Sequence, residues 1–331
     1  MTKITTFVTR GKNIESVHIV KALVINKKKE ILLSTKNDND IIFPRSSIKI
    51  FQAIPFANSN AKFKYNLNTK QIALACSSHT GEKFHIRELV KWIKLINIPV
   101  SKLKCGVHNP LNLKYSNKIL LSGTKPNQLH NNCSGKHLAM LTTCLANHYT
   151  LNNYLDFKHP HQINIRKTLE FFCETKIRKI NYGLDGCSAP QYALRLLDLS
   201  TGLLNLVNSY NLKFKYSPEI RILLKNILNN PHMIGGTNKF DSYLINKSNK
   251  KIFCKGGAEG VFLFAHLTKQ IVGIVKIKDG NERALPSAVS ALLKKLNITS
   301  FEENKKLSKW SNTSITNHSK QITGKIFTEI K

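Results

Sequence analysis

The spacing of apolar positions divides this chain into strand-rich ends and a helical middle. Val17 to Ile25 and Ile31 to Ser34 flank the polar turn Asn26-Lys27-Lys28-Lys29, a pattern that predicts a β-hairpin. Val261 to Ala265 and Ile271 to Ile277, joined through Leu267-Thr268-Lys269-Gln270, predict a second one. Strands at both ends imply one sheet assembled from the two termini. Between them Ile86, Leu89, Val90, Ile93 and Ile96 recur at helical steps, and Pro99 closes the segment. Leu138 to Leu145 and Ala193 to Leu197 read the same way, and Ala284 to Leu296 makes a final helix after Gly280. From Phe301 onward the pattern is polar and predicts no element, with Asn312 to Lys320 read as a surface loop.

At 331 residues and 41% hydrophobic content, the chain can bury a large core. The expected fold class is α/β of the α+β kind, a mainly antiparallel sheet built from N- and C-terminal strands with helices between. The expected organisation is a single domain of two lobes. The sheet lobe takes about 1–45 and 250–331, and the helical lobe about 46–249. No apolar run approaches the roughly 18 residues a membrane helix needs, and the first residues lack the apolar core of a signal peptide. The expected compartment is the cytoplasm, with no membrane partner.

Charge complicates this picture. A formal net charge of +32 suggests phosphate binding, yet only eight of the 51 basic residues are arginine. Lys, Asn and Ile enriched together are what AT-rich codons produce, and no nucleic-acid motif is present. Composition therefore favours codon bias over nucleic acid as a partner. Seven cysteines in a chain expected to stay in the cytoplasm point to free thiols or metal ligands rather than disulfides.

The candidate chemistry begins at Pro44-Arg45-Ser46-Ser47-Ile48-Lys49. Residues three apart share a helix face, so Lys49 can reach Ser46 if a short helix runs on toward Pro55. A serine hydroxyl stays inert until a base takes its proton. Lysine serves only when neutral, which at pH 7 needs a downward shift of about 3.4 units, on the order of 4.6 kcal/mol. Burial and a neighbouring cation supply shifts of that size, with Arg45 and Lys255 as candidate cations. Four further segments join glycine to reactive side chains: Ala75 to Glu82, Asn131 to His137, Gly183 to Pro190 and Cys254 to Gly260. Each also has a plain structural reading. Asp185 before Gly186 suits a turn, Ser78 suits a cap for a helix starting near Glu82, and free cysteines are usually core residues.

A serine nucleophile, an adjacent lysine and a late Lys255-Gly256-Gly257 outline the serine β-lactamase architecture, without its S-D-N element. Taken together, from Thr6 to Ile277, the motifs resemble the bacterial thermolabile, rhizobial-type L-asparaginases. The resemblance implies a β-lactamase-like fold, usually as a homodimer, hydrolysing L-asparagine to L-aspartate and ammonia. By position it implies two serine–lysine pairs, Ser46 with Lys49 and Ser78 with Lys255, with Ser46 as the acyl acceptor. Arg45 and Asp185 match residues near the reactive centre, with Asp185 expected to meet the substrate ammonium. Cys133, Lys136 and Cys187 match ligands of a zinc ion, and His137 lies beside them as a candidate substrate-binding residue. Ile50 departs from the proline expected there, and Thr80 from serine. A relaxed amidase or glutaminase, a β-lactamase-like hydrolase and a non-enzymatic basic binding protein remain open alternatives.

Overall fold

A computed structural model of the chain describes residues 2–331. The chain divides into two compact units. The first comprises the residues up to Ser47 together with Leu194–Asn208 and Leu244–Lys331, and the second comprises Ile48–Ala193 and Ser209–Tyr243.

The first unit holds an eight-stranded sheet. In spatial order its strands are Thr313–Thr316, Ile322–Ile330, Ile4–Arg10, Asn13–Ile25, Ile271–Ile277, Val261–His266 and Ile252–Gly257, with Ile31–Ser34 also paired to Asn13–Ile25. All pairings are antiparallel. The predicted hairpins and the joining of both termini are present: Ile4 lies opposite both Ile330 and Val20. Val261–His266 is buried throughout, which explains why it reads as a continuous apolar run. Gly273 lies opposite Phe264, where an added Cβ would come within 2.3 Å of the ring, so glycine lets Phe264 lie across the strand. Helix Leu285–Lys295 covers one face, tied down by Ser287 on Thr328 at 2.8 Å and Thr328 on Thr6 at 2.7 Å.

Two segments of this unit differ from the sequence expectation. Leu194–Arg195 is a strand paired with Ile41–Ile42, and the helix starts only at Leu196. Backbone bonds from Leu196 to Asp40 and Leu197 to Asp38 hold the segment against the N-terminal region, which is why 194–208 belongs to the sheet unit. Beyond Ser300, where no element was expected, lie the helix Phe301–Ser311 and two strands. The helix begins with a capping box, Ser300 Oγ accepting from the Glu303 amide and the Glu303 carboxylate from that of Ser300.

The second unit is helical. Its centre is Ser134–Ala146, in which every position from Ser134 to Cys144 is buried. Trp92, on the predicted helix Lys83–Leu95, donates to Thr142 at 3.0 Å. Gly135 sits against the helix Thr69–Leu74, where a Cβ would come 2.2 Å from the Leu74 carbonyl oxygen. The helix expected to run from Lys49 toward Pro55 is instead Lys49–Gln52, followed by a new helix, Ile54–Asn58, that carries Pro55 in its first turn. No helix among the described residues is long and apolar enough to cross a membrane.

Candidate active site

Lys49 is fully buried in the helical unit. Its Nζ meets the Ser77 carbonyl oxygen, lies 2.9 Å from Ser78 Oγ and 3.2 Å from Cys133 Sγ. The carbonyl can only accept, so an amine N–H points there. A hydroxyl both donates and accepts, so Ser78 can give its proton to the amine when that amine is neutral. Burial by itself disfavours the charged form of an amine.

Ser78 is held in place by its backbone. Its amide donates to Ile234 O at 2.8 Å, and that of Thr80 donates to Gly235 O at 2.9 Å. Glycine is required at 236: φ is +136°, and a Cβ would come 2.1 Å from Thr80 Oγ1. Glu82 accepts from Thr80 Oγ1 at 2.7 Å and from the Thr237 amide at 2.9 Å. Against its partial burial, these bonds hold the Glu82 carboxyl below the ordinary range. Glu82 is also the N-cap residue of Lys83–Leu95, so Ser78 is not spent as that helix's cap.

A sulfur–amine cluster lies on the same unit. Cys133 precedes the central helix, its amide donating to Asn131 Oδ1 at 2.8 Å. One turn on, Lys136 is buried with Nζ 3.0 Å from Cys187 Sγ. The Cys133 thiol donates to Cys187, which brings Cys187 down to about 4 despite burial and with help from Lys136. The same bond pushes Cys133 up to about 12. Burial opposes the charge on Lys136, yet the Cys187 thiolate holds its ammonium above the ordinary range. Cys187 rides on a tight turn, closed by the Asp185 amide on Ala189 O and the Ser188 amide on Asp185 O, each 2.9 Å. Asp185 Oδ1 accepts from the Gly186 amide at 2.9 Å, and Oδ2 from Gln191 at 3.3 Å. Asp185 thus builds the turn that its sequence context suits.

His137 follows Lys136 and is fully buried. Burial, then the neighbouring Lys136 charge, brings it down to about 3. Its Nδ1 is 2.6 Å from Tyr154 Oη. Tyr154 carried no signal in the sequence, being one tyrosine among polar residues far from any motif.

The sheet unit carries the other expected residues. Ser46 follows Arg45, whose φ of +53° is left-handed and costs a non-glycine residue roughly 1–2 kcal/mol. The Arg45 guanidinium lies 4.0 Å from Glu259. Gly257 packs on this turn, where a Cβ would come 2.7 Å from Pro44 O and 3.2 Å from the Ser46 amide nitrogen. Two residues earlier on the same strand, buried Lys255 donates to the Gly256 carbonyl at 2.9 Å.

Among the described residues, no three His, Cys, Asp or Glu side chains are placed to hold a metal. With Lys136 included, two thiols and an amine meet in a buried cluster. That donor set suits a thiophilic cation such as Zn²⁺, provided Cys133 and Lys136 give up their protons.

No curated protein sequence matches the chain. A solved structure from Bacteroides dorei DSM 17855, named as a candidate beta-lactamase, is similar at 8% identity and a TM-score of 0.44. The similarity covers 84% of this chain and 93% of that one. The family description L-asparaginase II matches residues 6–328. With that match spanning nearly its whole length, the chain belongs to the L-asparaginase II family.

Proposed function

We propose that the chain hydrolyses L-asparagine to L-aspartate and ammonia through a serine-bound acyl intermediate. The observation that carries this reading is the buried Lys49 amine resting 2.9 Å from the Ser78 hydroxyl. Neutral Lys49 takes a serine proton as the serine oxygen attacks the side-chain amide carbon. The proton passes to the amide nitrogen, the C–N bond breaks and ammonia leaves. Water then adds to the aspartyl ester, and the serine oxygen recovers a proton.

We assign the acyl group to Ser46 and the proton relay to Ser78. The first assignment follows the position of Ser46 three residues before Lys49 in Pro44-Arg45-Ser46-Ser47-Ile48-Lys49. Lys255, Arg45 and Asp185 are assigned to charge complementarity with the substrate, Asp185 toward its ammonium group. A second reading, acylation of Ser78 itself, is favoured by the contact with Lys49. We further assign Cys133, Lys136 and Cys187 as holders of a zinc ion, which when bound supplies a fixed positive charge and ties two segments together.

Ammonia release from L-asparagine by the native chain, Ser46→Ala and Ser78→Ala tests the reading. Loss of turnover in Ser46→Ala with a weaker defect in Ser78→Ala is expected, and the reverse order favours the second reading. Full activity in both variants refutes serine catalysis. Faster release from L-glutamine makes the enzyme a glutaminase.

A further inference from the structure

We propose that Tyr154 is a positioning residue that fixes His137 as the Nε2–H tautomer, leaving that N–H to donate to an oxygen of the amide substrate. The inference rests on the asparagine-hydrolase reading for the identity of the substrate, but not for the tautomer.

Hydrogen-bond polarity decides the tautomer. Tyr154 is fully buried, and its phenol oxygen accepts from the Lys104 amide at 2.9 Å. The one hydroxyl proton then needs an acceptor, and His137 Nδ1 stands 2.6 Å away. An Nδ1 that accepts is unprotonated, so a neutral imidazole carries its hydrogen on Nε2. The tyrosine is itself anchored, with Gln162 donating to its carbonyl at 2.9 Å. The backbone of Lys104 thus determines, through one hydroxyl, which nitrogen of His137 is the donor.

That donor is unused. His137 Nε2 is buried without a hydrogen-bond partner. A buried donor left unpaired costs roughly 1–3 kcal/mol, which an incoming acceptor recovers. His137 directly follows Lys136 on the helix Ser134–Ala146, and the charges of Lys136 and Lys49 both act on its ring. The acceptor proposed for this N–H is an oxygen of the substrate. Lys136 and Lys49 make the surroundings favourable to a carboxylate or a polarised amide oxygen.

The test uses the full chain with ¹⁵N-labelled histidine. Long-range ¹H–¹⁵N spectra at pH 7 are expected to show a protonated Nε2 and a bare Nδ1 at His137, with the Nε2 proton moving downfield when L-aspartate is added. Tyr154→Phe is expected to give mixed tautomers and a roughly threefold to tenfold lower kcat/KM for asparagine, the worth of one positioned hydrogen bond. In a His137→Gln background, whose amide donates without tautomer choice, Tyr154→Phe is expected to cost nothing further. A purely structural tyrosine would cost the same in both backgrounds and overturns the proposal. So does an Nδ1–H tautomer in the native chain, or an Nε2 proton indifferent to L-aspartate in an enzyme that still releases ammonia. A native chain without asparagine turnover refutes the functional reading, and the tautomer spectrum then judges the Tyr154 half alone.

Discussion

Replacing Lys49 by Met separates chemistry from stability at the position on which the mechanism turns. Methionine has similar length and suits full burial, so the space occupied by the Lys49 side chain stays filled. The amine is lost from the Ser77 carbonyl, the Ser78 hydroxyl and the Cys133 thiol. A carbonyl left without its donor costs about 1–3 kcal/mol, offset by no longer burying an amine. Net stability is therefore expected to move by no more than about 2 kcal/mol. Loss of a general base costs about 10²- to 10⁴-fold in rate, or roughly 2.7–5.4 kcal/mol of barrier. The assay is ammonia release from L-asparagine beside a urea melt of the same preparation. A fall in kcat of at least a hundredfold with a folded protein is expected. A variant within threefold of native activity refutes the role given to Lys49.

Four other outcomes follow from the structure. Gly135→Ala drives a Cβ into the Leu74 carbonyl, and a loss of about 3 kcal/mol or more in urea unfolding is expected; an unchanged midpoint contradicts the packing. Gly257→Ala pushes on the turn around Ser46, so turnover is expected to fall while the chain stays folded by circular dichroism, and native kinetics would contradict this. Burial first, then the His159 charge, holds His161 at about 3 in the fold against about 6.5 unfolded. The unfolded chain therefore takes up the proton first as pH falls: stability is intact above 6.5 and declines toward 3, by a few kcal/mol at most. Both ring nitrogens of His161 lack partners, so His161→Leu is expected to flatten that acid limb in melts against pH, whereas parallel curves would contradict it. The native chain is expected to retain one zinc ion per chain after dialysis and Cys187→Ser to retain none, with equal retention refuting the assigned ligands.

Much of the sheet was legible in the sequence because apolar runs bounded by polar turns have few other uses. The C-terminal helix Phe301–Ser311 was missed because its apolar positions are sparse, with only Glu303 and Leu307 buried. Its signal was the cap, Ser300 followed by Glu303, rather than periodicity. The strand Ile322–Ile330 was missed for a related reason: its pattern is half-buried over most of its length. Leu194–Arg195 reads as helix locally and becomes strand through pairing with Ile41–Ile42, which no local window contains.

The site divides similarly. Ser46, Lys49 and the glycine-bearing loops stand out as residues. The contact between Lys49 and Ser78 does not, since it depends on segment 78–80 bonding to 234–235 far along the chain. The pairing of Cys187 with Cys133 and Lys136 follows from a resemblance, not from a spacing. Tyr154 gave no warning, because its importance lies in which partner each of its hydrogen-bonding capacities finds.

Rapid-quench mass spectrometry of the intact chain during asparagine turnover tests the central claim most directly. Serine catalysis predicts a transient gain of one aspartyl group, located by peptide mapping on Ser46. Steady ammonia release with no adduct on any serine would contradict it.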